Sequence, residues 1–241
     1  MLSFKNDINL KNQLVAIVEG HEKADRIVKG HYWENGKGCC LGCMTEEQYN
    51  THEILEERYN IPYWLGKVID TIFEGLENSE AMKFPLRVSK AIPVGVDLDN
   101  IKTPFLSFVL KSTLDKFDHD KYPEVKKCLD DVIALYETGD KDVGKFREVA
   151  ERLRSAAYIH AASAAAYAVA AASADAYDAY AAAASADAYD AYAASAAAYA
   201  VAAAAYAADG DVTNDNWTSS GRKNQYKIFA DELLRLIEKC K

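Results

Sequence analysis

The stretch IPYWLGKVIDTIFEGL, residues 61–76, decides how this chain is read. Leu65, Val68, Ile69, Ile72, Phe73 and Leu76 recur at steps of three and four, which places them on one stripe of an α-helix. Asn60-Ile61-Pro62 marks a stop and restart before it, and proline suits a first helical position. A helix this one-sided needs other elements to cover it. Toward the N-terminus, Leu10, Leu14, Ile17, Val18 and Ile27 predict an amphipathic helix over 8–29 that ends at Gly30. Thr45 with Glu46 and Glu47 reads as a helix start, running to about Tyr59. Toward the C-terminus, the same periodicity predicts helices over 80–91, 103–117, 122–136 and 224–241, the last with Phe229, Leu233, Leu236 and Ile237 on one face. Residues 92–98, IPVGVDL, read as an apolar connector with no evident partner strand. The expected fold is all-α, a multi-helix bundle.

Residues 145–208 contain neither glycine nor proline and are dominated by alanine and tyrosine. SADAYDAYAA occurs at 173–182 and again at 185–194, between two copies of AAYAVAAA at 165–172 and 197–204. Alanine favours helix most strongly. One rod over this segment would reach ~96 Å, against a radius of gyration of ~18 Å for a domain of this size. A helical hairpin of two ~45 Å arms is therefore expected, with its break near Ser173 or Ser185. A twelve-residue repeat turns the helix face by ~120°, so the repeated tyrosines do not share a stripe. A packed scaffold or an interface for a homo-oligomer fits better than a ligand-reading array. The expected organisation is a helical domain over 1–144, the hairpin over 145–208, and a loop and helix over 209–241 that return to the body.

The 241 residues carry a net charge of −9, with Lys and Arg scattered among acids, so no nucleic-acid partner is expected. The first residues lack the apolar core of a signal peptide, and no long run of large apolar residues marks a membrane span. Five cysteines without such a signal point to reduced thiols and a cytoplasmic location.

Chemistry concentrates in WENGKGCCLGC, residues 33–43. A glycine-rich turn feeding a helix exposes backbone N–H groups to an anion, and Lys37 adds charge, although no Gly-Lys-Ser/Thr closes a phosphate loop. Cys40 and Cys43 form CxxC with His31 and His52 nearby, a set zinc accepts, but a second such pair is missing. The same spacing suits a dithiol, without the βαβ context such motifs have. Against all three stands a plain reading: the glycines permit a tight turn and the cysteines are small buried hydrophobes. His21 with Asp25, and His52 with Glu56, repeat an i, i+4 His/acid spacing on the flanking helices. With Arg26 they form a plausible rim to the glycine loop. No catalytic triad or metalloprotease motif stands out, so neither a catalytic residue, a metal nor a cofactor is expected.

HYWENGKGCCLGC, IPYWLGKVIDTIFEGL and AIPVGVDLDNI together resemble a largely uncharacterised family of phage and bacterial proteins. Its pattern runs W-E-x-G-K-G-C-x-x-G-C, a His-containing helix, I-P-x-W-L, I-F-E-G-L and I-P-V-G-x-D-L, with an alanine-rich tail. Trp33, Glu34, Gly36, Lys37, Gly38, Cys39, Gly42, Cys43 and His52 occupy family positions. Cys40 departs from the pattern, which leaves Cys39 and Cys43 as the shared pair. The phage association implies a counter-defence role: a non-enzymatic binder that sequesters a nucleotide-derived immune signal, with Trp33 stacking on a base and Lys37 on a phosphate. The expected ligand-binding set is His21, Arg26, Trp33, Gly36, Lys37, Gly38, Cys39, Gly42, Cys43, His52 and Glu56. A protein-interaction or immunity module built on the Ala/Tyr hairpin is the alternative, and a Cys/His metal or thiol protein the second.

Overall fold

A computed structural model of the chain describes residues 1–114, 123–138 and 220–241, with Lys145, Glu148, Val149 and Arg152. The fold is all-α: among the described residues, the one sheet is a pair of two-residue strands. The Ala/Tyr hairpin and the boundaries at 144 and 208 lie outside the described residues. Within those described, no helix is long and apolar enough to cross a membrane.

The chain divides into two compact units, Met1–Lys102 with Lys227–Lys241, and Thr103–Tyr226. In the first, α1 (Ile8–Lys23) starts at Asp7, whose carboxylate accepts from the Asn9 N–H at 2.8 Å. It stops six residues short of the expected end. Asp25 turns left-handed (φ 53°), and the Arg26 N–H donates back to the His21 carbonyl at 3.0 Å. Residues 26–28 then run extended, and Ile27 is buried there instead of on the helix.

Residues 31–44, which their glycines mark as a loop or short turn, hold a two-residue turn between short strands and then a helix. Strands β1 (Trp33–Glu34) and β2 (Lys37–Gly38) pair antiparallel, Trp33 opposite Gly38 and Glu34 opposite Lys37. Asn35 (φ 52°) and Gly36 (φ 75°) are the two turn residues, and positive φ at both is what a type I′ hairpin demands. Helix α2 (Cys40–Thr45) follows, with all six residues buried. It packs against α1, β2, α3 (Thr51–Tyr59), α4 (Tyr63–Gly75) and α6 (Phe84–Ala91), and so forms the centre of this unit. Thr45-Glu46 is therefore a helix end, not a start. The Thr45 hydroxyl bonds back to the Leu41 carbonyl (2.9 Å), Glu46 turns left-handed, and Arg58 donates to the Thr45 carbonyl at 2.6 Å.

Helix α4 carries the predicted stripe: Leu65, Val68, Ile69, Ile72, Phe73 and Leu76 are all buried. Pro62 sits one position earlier than expected, as the cap. The expected helix over 80–91 is two, α5 (Asn78–Ala81) and α6, because Pro85 restarts the chain as a first-turn residue. The 92–98 connector does find a partner, the chain's own start. Ser3 and Val96 exchange bonds, the Ser3 N–H to the Val96 carbonyl at 2.8 Å and the Val96 N–H to the Ser3 hydroxyl at 3.1 Å. Phe4, Lys5 and Asn6 are all left-handed there (φ 53°, 52°, 58°), and Phe4 is fully buried. The last helix, α9 (Ser220–Lys239), returns Phe229, Leu233, Leu234 and Ile237 to this core. Leu236, expected on that face, is only half-buried.

In the second unit, α7 (Lys102–Leu114) buries Phe105, Leu106, Val109 and Leu110, and α8 (Pro123–Thr138) buries Cys128, Leu129, Val132 and Ile133. A Lys111–Glu137 ion pair joins these two helices.

Candidate functional site

Two N–H groups of the glycine loop are committed within the fold. The Gly38 N–H goes to the Arg26 carbonyl (3.0 Å) and the Cys39 N–H to the His31 carbonyl (2.7 Å), so both are spent inside the fold. The glycines have packing reasons instead. A Cβ on Gly42 would lie 1.2 Å from the Tyr32 carbonyl oxygen, and one on Gly38 2.1 Å from the same atom. Lys37 and the Arg26 side chain are exposed.

The two i, i+4 His/acid pairs also give way to partners from distant sequence. His21 Nε2 lies 3.0 Å from Glu46, not on Asp25, and its ring meets Trp33 edge-on at 4.9 Å. Glu56 accepts the Tyr63 N–H at 3.3 Å, at the start of α4. His52 faces Asp70 instead, Nε2 to Oδ2 at 3.7 Å.

Two side-by-side arrangements result, divided by the hairpin. Successive residues of an extended chain point opposite ways, so Trp33 covers His21 while Tyr32 covers His52, with ring centroids 5.7 Å apart. The cysteines divide likewise. The Cys39 thiol points to Asp70 Oδ1 at 3.6 Å, whereas the Cys43 thiol donates to the Gly38 carbonyl at 3.3 Å. Cys40 is fully buried, and the group of potential metal ligands found among the described residues contains Cys39 but neither member of the CxxC pair.

Sequence reasoning missed the centre of the His52 arrangement, Asp70. The Tyr32 hydroxyl donates to its Oδ2 at 3.4 Å. Glu74, one turn along α4, accepts the Gly30 N–H at 3.0 Å. Cys39 Sγ and single oxygens of Asp70 and Glu74 lie within 4.8 Å of one another. Tyr63 rests against His52 at 5.5 Å, and the Lys67 ammonium stands 5.5 Å from the Tyr63 ring. Asp70 and Glu74 share the polar flank of the apolar stripe, and that i, i+4 carboxylate pair was the available signal.

Burial and then the Asp70 charge hold the Cys39 thiol and the Tyr32 phenol well above their ordinary ranges. Burial raises the Glu74 carboxyl, and Asp70 adds to it. Burial pushes the Cys43 thiol up to about 12. These are protonated thiols, unsuited as they stand to nucleophilic attack. Compared with known proteins, the chain matches no protein family, no curated protein and no solved structure.

Proposed function

We propose that this protein binds and sequesters a nucleotide-derived small molecule without turning it over, and that the contact face is the one edged by Tyr32, His52, Tyr63, Lys67 and Asp70. One observation carries the reading: two solvent-reaching tyrosines rest against a single buried imidazole, with a lysine on one ring and a carboxylate beneath the other. Aromatic rings offer a base a stacking surface, a lysine suits phosphate, and a carboxylate accepts from base amino groups or ribose hydroxyls. The protonated thiols support binding over covalent chemistry. The resemblance to phage proteins makes nucleotide signals of host immunity the first class to test.

Mass spectrometry of small molecules released by heat, with thermal-shift screening of linear and cyclic nucleotides, tests the proposal. Recovery of an intact nucleotide is the expected result. Tyr63→Ala should weaken binding about 5–150-fold, the worth of one base stack at about 1–3 kcal/mol, while Lys37→Ala changes little. An empty protein that no nucleotide stabilises sinks the reading.

A further inference from the structure

We infer that Cys39, His52, Asp70 and Glu74 form a binding site for one zinc-class divalent metal ion. The donors come from three separate places in the chain: the residue that caps α2, the first turn of α3, and two successive turns of α4. They meet at Asp70. Its Oδ1 is 3.6 Å from the Cys39 sulfur and its Oδ2 is 3.7 Å from His52 Nε2. Metal–ligand bonds of ~2.0–2.3 Å in a tetrahedron separate ligand atoms by roughly 3.3–3.7 Å. The Cys39–Asp70 separation is close to such an edge, and the His52 separation, to the other carboxylate oxygen, is long for an N–H···O hydrogen bond.

His52 supplies an independent observation. The residue is 4 % exposed, and its Nε2 is buried without a hydrogen-bond partner while directed at the Asp70 carboxylate. An unmade bond on a buried ring nitrogen costs about 1–3 kcal/mol, and a metal would satisfy it. The Cys39 sulfur and single oxygens of the two carboxylates lie within 4.8 Å of one another, and a divalent cation would offset the like charge of the carboxylates. Thiolate with imidazole selects zinc over magnesium or calcium, which prefer oxygen alone. The Tyr32 hydroxyl on Asp70 Oδ2 and the Gly30 N–H on Glu74 would orient the carboxylates from outside. On binding, the Cys39 S–H bond breaks, a sulfur–metal bond forms, and the proton passes to buffer. The inference does not rest on the nucleotide reading, although a metal here would let a phosphate approach two carboxylates.

The test uses the full chain, stripped with chelator and titrated with cobalt(II) alone, then with zinc, and no nucleotide. One equivalent of cobalt should bind with a thiolate-to-cobalt charge-transfer absorption, release about one proton near neutral pH, and be displaced by zinc. Cys39→Ser should lose that absorption, whereas Cys40→Ser and Cys43→Ser keep it. Asp70→Asn and His52→Ala should weaken zinc binding by at least about 100-fold, beyond the 10–100-fold usual for groups outside the coordination sphere. Circular dichroism checks that each variant folds. Should Cys39→Ser fail to fold, the wild-type absorption and the Asp70→Asn affinity still decide. No stoichiometric binding by the wild type, or an absorption that survives Cys39→Ser and vanishes in Cys43→Ser, overturns the site.

Discussion

His21 and His52 are equally buried, 4 % exposed each, and each has a tyrosine or tryptophan edge against it and a carboxylate before Nε2. They differ by 0.7 Å. His21 reaches Glu46 at 3.0 Å, a made hydrogen bond, and Glu46 is half-exposed, with water to serve its other oxygen. His52 stops 3.7 Å from Asp70, whose side chain is 18 % exposed and already faces a phenol and a thiol. The first arrangement makes its Nε2 bond between α1 and the end of α2, and leaves the buried His21 Nδ1 without a hydrogen-bond partner. In the second, the buried Nε2 that faces the carboxylate has no hydrogen-bond partner. Two copies of one local recipe thus separate into a structural contact and a candidate site by whether the Nε2 facing a carboxylate is bonded to it.

Four changes would break or sharpen that contrast. The largest effect is expected from Gly42→Ala, which drives a Cβ into the Tyr32 carbonyl and displaces the coverings of both histidines together. Urea unfolding should show a loss of more than about 4 kcal/mol, or no folded protein; a near-neutral change would mean that the hairpin does not hold the two sides apart. Next, Asp70→Asn should cost zinc affinity at least about 100-fold while Glu46→Gln leaves it unaltered. Equal losses would erase the distinction between the two sides.

The third concerns Cys43, on the His21 side. Its folded-state thiol titrates at about 12 against an ordinary value of 9.0. Above pH 9 the unfolded chain therefore releases a proton that the folded chain retains. Stability is intact below pH 9 and falls toward pH 12, by up to about 1.4 kcal/mol per pH unit. Cys43→Ala should flatten that decline in urea titrations, and an unchanged slope would assign it elsewhere. The smallest effect belongs to Glu46→Ala. Removing a half-exposed partner from His21 should lower unfolding stability by about 1 kcal/mol, and a markedly larger loss would show a latch stronger than this geometry provides.

The helical stripe of α4 was legible because burial and periodicity coincide at Leu65, Val68, Ile69, Ile72 and Phe73. Asn35-Gly36 was equally legible as a two-residue turn, yet the surrounding glycines drew the reading toward a phosphate cradle. Gly42 shows why. Its reason is the approach of the Tyr32 backbone from ten residues earlier, which no local pattern encodes. The histidines misled in the same way. An acid four residues on is a neighbour on any helix, but both rings point across the fold, to Glu46 and Asp70. Cys39 and His52 carry a signal in the sequence, but only the packing of the fold shows that Asp70 lies beside both and Glu74 beside Cys39.

The union of the chain's start with residues 93–97 has a kinetic meaning. The Ser3–Val96 contact spans 93 positions, and closing a loop of that length costs about 4 kcal/mol of chain entropy. The left-handed run at Phe4–Lys5–Asn6 adds about 1–2 kcal/mol per residue. Neither cost is recovered until Phe4 reaches an already assembled interior. Contacts such as His21–Glu46 and Tyr32–Asp70, 25 and 38 positions apart, close shorter loops and carry no such strain. Loop length and strain therefore predict that the N-terminal tie forms on the native side of the folding barrier, so that Ser3→Ala should speed unfolding in stopped-flow measurements and leave refolding nearly unchanged. The tie in that case acts as a brake on unfolding.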